Sequence, residues 1–235
     1  MAPLAPMPTV AIDVVQLKAF GDMWQTNSGA LGRTPPFSSL DLGRLLDNSV
    51  ARALAVMLGG IPVIAPKDAD LIPAQSDCVE CGNIRIVGGV RPQNFDVGYR
   101  PDGVRFAFDS KTLNDAKSVG KNWQNMINDL ATEATTAHTR FPYAVVTFMV
   151  AIPTPCLLGA TRSAMIGTLE RLSRRSQVDG ANHLAEAIAL LLWNPETGEL
   201  APDIPDPKSP LRIEKFSEQI EASYTARYKG LPPHV

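Results

Sequence analysis

The chain has 235 residues, and 45% of them are hydrophobic, enough for one sizeable core. Lys and Arg number 22 against 24 Asp and Glu, a net charge of −2, so no basic excess advertises a polyanionic partner; none is excluded either, because a cleft can be locally basic. No apolar run is long enough to span a membrane, and the start M-A-P-L-A-P-M-P-T lacks the basic region and apolar stretch of an export signal, so the expectation is a cytoplasmic protein with no membrane partner.

In chain order, Met1 to Pro8 is proline-rich and expected to be loose. Val10 to Phe20 suits a short helix or a strand, and Asp22 to Pro36 reads as loop. Ser38 or Ser39 caps a helix whose buried stripe is Leu42, Leu45, Leu46, Val50, Leu54 and Leu58, stopped by Gly59-Gly60. Asp41 and Asp47 on that helix are expected on its solvated face. Ile61 to Ile64 is a short apolar run, and Lys67 to Asp77 a polar, broken connection. Cys78 and Cys81 form a C-x-x-C and read as ordinary reduced cysteines. A zinc site needs two more ligands, and Cys156 with His138 or His183 stands at irregular spacing. Asn83 to Val87 suits a strand before the Gly88-Gly89 turn.

The stretch from Asn94 to Lys111, N-F-D-V-G-Y-R-P-D-G-V-R-F-A-F-D-S-K, reads as two strands around a Pro-Asp-Gly turn. Phe95, Val97 and Tyr99 suit the incoming strand; Val104, Phe106 and Phe108 alternate with polar or small residues on the outgoing one. Two registers are open. If Arg100 faces Gly103, Asp96 faces Ala107; if the turn centres on Asp102-Gly103, Asp96 faces Asp109. Both put Asp96, Asp109 and Lys111 on one sheet face, with aromatic rings on the other. Two neighbouring carboxylates repel unless a cation lies between them, and Mg²⁺ is the hard cation suited to oxygen ligands. Mg²⁺ polarises a phosphodiester and helps form hydroxide for attack, while Lys111 orients the water, assists its deprotonation or stabilises developing negative charge.

Farther on, Val119, Trp123, Met126, Ile127, Leu130 and Ala134 mark a long helix to about His138. Tyr143 to Ile152 reads as a central strand buried on both sides. Thr161 to Arg175 suits a basic helix. Asp179 caps a further helix through Leu184, Ile188, Leu191 and Leu192, and Leu211 to Tyr228 an amphipathic one. The expected fold is a single α/β domain over 1–235, with its core at about 78–152 and helical flanks at 38–60 and 160–228.

Asp96, the hairpin and Asp109-Ser110-Lys111 resemble the catalytic motif of the PD-(D/E)XK nuclease superfamily, over roughly Ile84 to Ile152. The resemblance implies a restriction-endonuclease-like α/β/α core with a central mixed sheet and additional helices. Asp96 takes the place of the first acidic residue, Asp109 the second and Lys111 the lysine; Asp96 and Asp109 would bind Mg²⁺. Phe95 stands where the family often has proline. Pro101-Asp102 is a literal Pro-Asp pair, which makes Asp102 a rival assignment, and Glu80 is a further auxiliary candidate. Some members draw a third acidic residue from an early helix. The implied activity is hydrolysis of double-stranded DNA, with a compact type II restriction endonuclease as the best subclass and a homodimer as its usual assembly. Repair or mobile-element nucleases, and a non-catalytic DNA-binding module of the same fold, are the alternatives. Candidate DNA contacts are Lys117, Lys121, Gln124, Arg162, Arg171, Arg174 and Arg175.

Overall fold

Among the described residues, hydrophobic patterning resolves into five α-helices and six strands: α1 (Val14–Thr26), α2 (Ser39–Met57), β1 (Val63–Ile64), β2 (Val79–Val87), β3 (Pro92–Tyr99), β4 (Phe106–Thr112), α3 (Val119–Arg140), β5 (Val145–Pro153), α4 (Gly159–Leu172), β6 (Ala187–Trp193) and α5 (Ile213–Tyr228). The computed structural model describes residues 4–67, 71–73 and 75–234, so parts of the expected N-terminal stretch and of the 67–77 connection lie outside the described residues. Among those described, no helix is long and apolar enough to cross a membrane.

The strands form one mixed sheet in the order β1 to β6. β2, β3 and β4 run antiparallel as a meander, while β1–β2, β4–β5 and β5–β6 are parallel. Parallel neighbours need crossovers; α3 supplies the one from β4 to β5 and α4 the one from β5 to β6. Leu130, Ala134, Met165 and Leu169 of those two helices pack on one sheet face. Leu46, Val50, Leu54, Phe216 and Ile220 of α2 and α5 cover the other, giving an α/β protein with helices on both sides. Trp193 at the end of β6 meets Leu17, Phe20 and Trp24 of α1.

The local signals for α2 act as the sequence predicts. Ser38 accepts from Asp41 N at 3.2 Å and Asp41 accepts from Ser38 N at 3.0 Å, a reciprocal cap. α1 begins one residue after Asp13, which caps it, and runs to Thr26, into the stretch expected to be loop.

One element differs in kind. The helix expected through Leu184 to Leu192 is strand β6, so the 160–228 flank is not wholly helical. The run A-I-A-L-L-L-W carries no polar position to define a helical face, and a short, fully apolar run is as compatible with a strand covered on both sides. All seven residues are buried, beside the equally buried β5.

A polar hub anchors the starts of β5 and β6. Buried Glu186 accepts from Val146 N at 2.8 Å and from Arg175 Nη1 at 2.8 Å, and contacts His138 Nε2 at 3.2 Å and Arg227 Nη2 at 2.8 Å. Burial opposes its ionisation, but His138, Arg227 and Arg175 win and hold its pKa below the usual carboxylate range. Glu186→Gln is expected to destabilise the fold by about 3–5 kcal/mol, because it strands buried guanidinium charge. Urea unfolding of the parent and variant reads this directly; a midpoint shift equivalent to less than about 1 kcal/mol would refute the hub.

Candidate active site

The site forms where β3 and β4 part. Their ladder pairs Tyr99 with Phe106, Gly98 with Ala107 and Val97 with Phe108, then stops. This is the register that sets Asp96 opposite Asp109. On the other side of β3, Cys81 pairs with Val97 and Ile84 with Phe95, so Gly82 and Asn83 together oppose Asp96. Such a bulge bends the strand and re-aims the opposing side chain. Gly82 has φ of +144°, a conformation that L side chains rarely adopt. The consequence is visible in the packing. Val97 lies in the α2-side core and Phe95 in the α3-side core, although both belong to the same strand parity.

Asp96 therefore reaches across the gap between strands. Its Oδ2 accepts from Ser110 N at 2.9 Å and from Ser110 Oγ at 3.3 Å. It also stands within hydrogen-bonding reach of Asp109. Lys111 pairs with Asp109, and its Nζ donates to Glu133 Oε1 at 2.9 Å. Gln93 Nε2 donates to the same Glu133 oxygen at 3.2 Å. From the opposite sheet face, buried Asp47 of α2 approaches Ser110 and Asp96. The loop after β4 is held by Asn114, which accepts from Trp24 Nε1 and Leu31 N and donates to Ser39 Oγ.

Burial, followed by the charge of Asp96, pushes Asp47 up to about 8. Burial and the neighbouring Asp109 push Asp96 up to about 7. Burial also raises Asp109, to about 6, with Asp96 and Lys111 opposing and Glu133 reinforcing the rise. For Lys111, burial disfavours the charge, but Asp109 and Glu133 outweigh it and raise its pKa, so the ammonium persists. Asp47 Oδ1 and Glu133 Oε2 are buried without a hydrogen-bond partner. Among the described residues, no three His, Cys, Asp or Glu side chains stand as a ready metal cage.

The structure brings Asp96, Asp109 and Lys111 together, and gives Glu80, Asp102 and Arg175 other partners. Glu80 is fully buried and gives both oxygens to Arg100, at 2.7 and 2.8 Å, so it is an ion-pair partner and not a member of this group. Asp102 sits exposed in the turn and binds Arg105 at 2.7 Å. Lys117, Lys121 and Gln124 are exposed at the start of α3, and Arg162 is half-buried in the first turn of α4. Arg171 and Arg174 are exposed; Arg171 donates to Thr168 Oγ1 within α4, and Arg174, just past its end, donates back to Glu170 O. Arg175 is 2% exposed and belongs to the Glu186 hub, so it is no surface contact. Cys78 Sγ donates to Gln75 O, whereas Cys81 faces Asn48; burial, followed by the charges of Asp47 and Asp96, pushes the Cys81 thiol up to about 12.

Asp47 and Glu133 were not expected here. Asp47 shares a helix side with Gly43 and Ala51, and small residues four apart signal a close helix–sheet approach. A Cβ on Gly43 would lie 3.3 Å from Ser110 Oγ. Glu133 interrupts the α3 stripe of Met126, Leu130 and Ala137.

No protein-family model matches the sequence, and comparisons with curated proteins and with solved structures return no match.

The raised carboxyls have a measurable cost. The unfolded chain releases these protons near pH 4, while the folded site keeps them to about 6–8, so stability falls as pH rises through that window. Asp96→Asn is expected to melt above the parent at pH 8 without divalent cations, by roughly 2–4 °C per kcal/mol of repulsion relieved. At pH 4 the difference should vanish. Equal melting temperatures at pH 8 would show that the carboxyls do not repel.

Proposed function

We propose that this chain is a Mg²⁺-dependent endonuclease of the PD-(D/E)XK type that hydrolyses phosphodiester bonds of double-stranded DNA, in the manner of a compact type II restriction enzyme. The observation that carries this reading is the meeting of Asp96, Asp109 and Lys111 at the parting of β3 and β4, with Asp47 behind them. An antiparallel meander joined through a helical crossover to a parallel strand agrees with the restriction-endonuclease-like core that the sequence resembles.

The donor set fits the cation. It is all oxygen on the Asp47, Asp96 and Asp109 carboxyls, which repel one another and include one orphaned buried oxygen. Mg²⁺ characteristically uses one or two carboxylates, waters and substrate phosphate in place of a closed protein cage. Asp96 and Asp109 would hold it, and Asp47 lies close enough to bear on the same charge. When bound, the cation polarises the phosphoryl oxygen and acidifies water.

The chain's own groups do the rest. Ser110 N fixes the Asp96 carboxylate. Glu133 and Gln93 fix the place of the Lys111 ammonium. Because Lys111 stays charged, it serves as a donor that orients water and stabilises the phosphorane, and not as the base. Cutting both strands of a duplex calls for two such sites, which a two-fold homodimer on a palindrome provides.

Incubating the protein with supercoiled and linear duplex DNA, with Mg²⁺ or with chelator, tests the reading. Cleavage is expected only with Mg²⁺, and failure to cut under any salt or pH condition would reject it. Lys111→Met and Asp109→Asn should each lower single-turnover cleavage about 10²-fold or more, with folding and most DNA binding retained. Near-normal cleavage by Lys111→Met would remove the lysine from the mechanism. Neutralising the exposed Arg171 and Arg174 together is expected to weaken binding to many DNA sequences alike and to flatten its salt dependence; unchanged affinity across a salt series would assign the pair to a solvated outer face.

A further inference from the structure

We infer, resting on that nuclease reading, that the β2–β3 hairpin beyond the bulge is the element that reads sequence, laying its outer face in the DNA major groove with Arg85 and Asn94 as the readers. From Asn83 to Phe95 the chain carries two Arg and three Asn or Gln and no acidic residue, although the whole protein is net acidic. The ribbon is two-sided. Ile84, Ile86 and Phe95 pack toward α3, while Asn83, Arg85 and Asn94 are exposed. Arg85 and Asn94 are direct cross-strand partners, so their side chains leave the ribbon together. A two-stranded ribbon fits the major groove, where Arg pairs bidentately with guanine and Asn with adenine.

The ribbon is also held firmly. A Cβ on Gly88 or Gly89 would fall 2.3 Å from Thr136 or Thr139 of α3, so the hairpin tip sits directly on the helix. Gly88 and Gly89 make that seating possible, and a fixed support is what base readout needs. Asn94 precedes Asp96 by two residues, about 7 Å of strand, and Arg85 lies one strand farther out. The bases read should therefore lie within about two to four base pairs of the cut, at roughly 3.4 Å per step.

The test uses duplexes with a randomised block, cut by the full chain with Mg²⁺ and sequenced at their ends. Parent cleavage is expected to share a motif with a fixed purine within about four pairs of the cut. Arg85→Ala and Asn94→Ala should each lose preference at one position and cut the parental site about 10- to 100-fold more slowly, with unchanged melting temperature. Arg85→Lys keeps the charge without the bidentate fork, and should lose preference while retaining affinity. Parental motif and rate in these variants, or a parent that cuts without preference, would overturn the hairpin's role and leave the nuclease reading standing. A parent that cuts no nucleic acid would overturn both.

Discussion

Carboxylates placed side by side away from bulk water repel, and the centre of this molecule is built around that repulsion. Asp47, Asp96 and Asp109 arrive from three different elements: a helix on one sheet face and two strands of the sheet itself. Glu133 arrives from the helix on the other face. No local segment could hold them together. Two apolar cores, one on each side of the sheet, supply the force, and Lys111 supplies the single ammonium that lies among the acids. The strand gap that admits them exists because β2 carries one residue more than β3 opposite Asp96.

Much of the framework was legible because its signals are local. The Ser38 cap, the leucine stripe of α2, the long α3 pattern and the apolar β5 each follow from local spacing, although Asp41's share in the cap does not. The strand alternation around Asp109-Ser110-Lys111 likewise placed Asp109 and Lys111 together on one face, which the structure shows to be the α3 side. Asp96 is different. Simple alternation put it on the same face by rule, whereas it reaches Ser110 and Asp47 through the break in the ladder. A bulge is a relation between two strands, and a single strand's pattern does not contain it.

The same distinction explains the residues that reading by charge misplaced. An Arg in a basic run looks solvated, yet Arg175 turns inward because Glu186, eleven positions later, is buried beside it. Glu80 looks like a free acid near the site until Arg100 on the next strand closes on it. Asp47 looks like a surface residue until Gly43 lets α2 settle against Ser110. In each case the partner is distant in sequence. Helix propensity and charge counts carry no information about it.

The Glu186 hub and the distal β2–β3 hairpin contrast in how far they are covered. β5 and β6 are sealed on both faces, and the hub ties their first residues to α3 and α5. The distal hairpin is an open ribbon with one exposed side. Amide protons of Val145 to Ile152 and Ala187 to Leu192, buried on both faces, are expected to exchange more slowly than those of the exposed Asn83 and Asn94. The outward side chains of the β2–β3 ribbon can thus repack against a bound surface while its backbone stays seated on α3 and the strands that hold Asp109 and Lys111 stay closed. Side-chain freedom and backbone rigidity are divided between the two faces of one ribbon, with the Gly82–Asn83 bulge at its inner border.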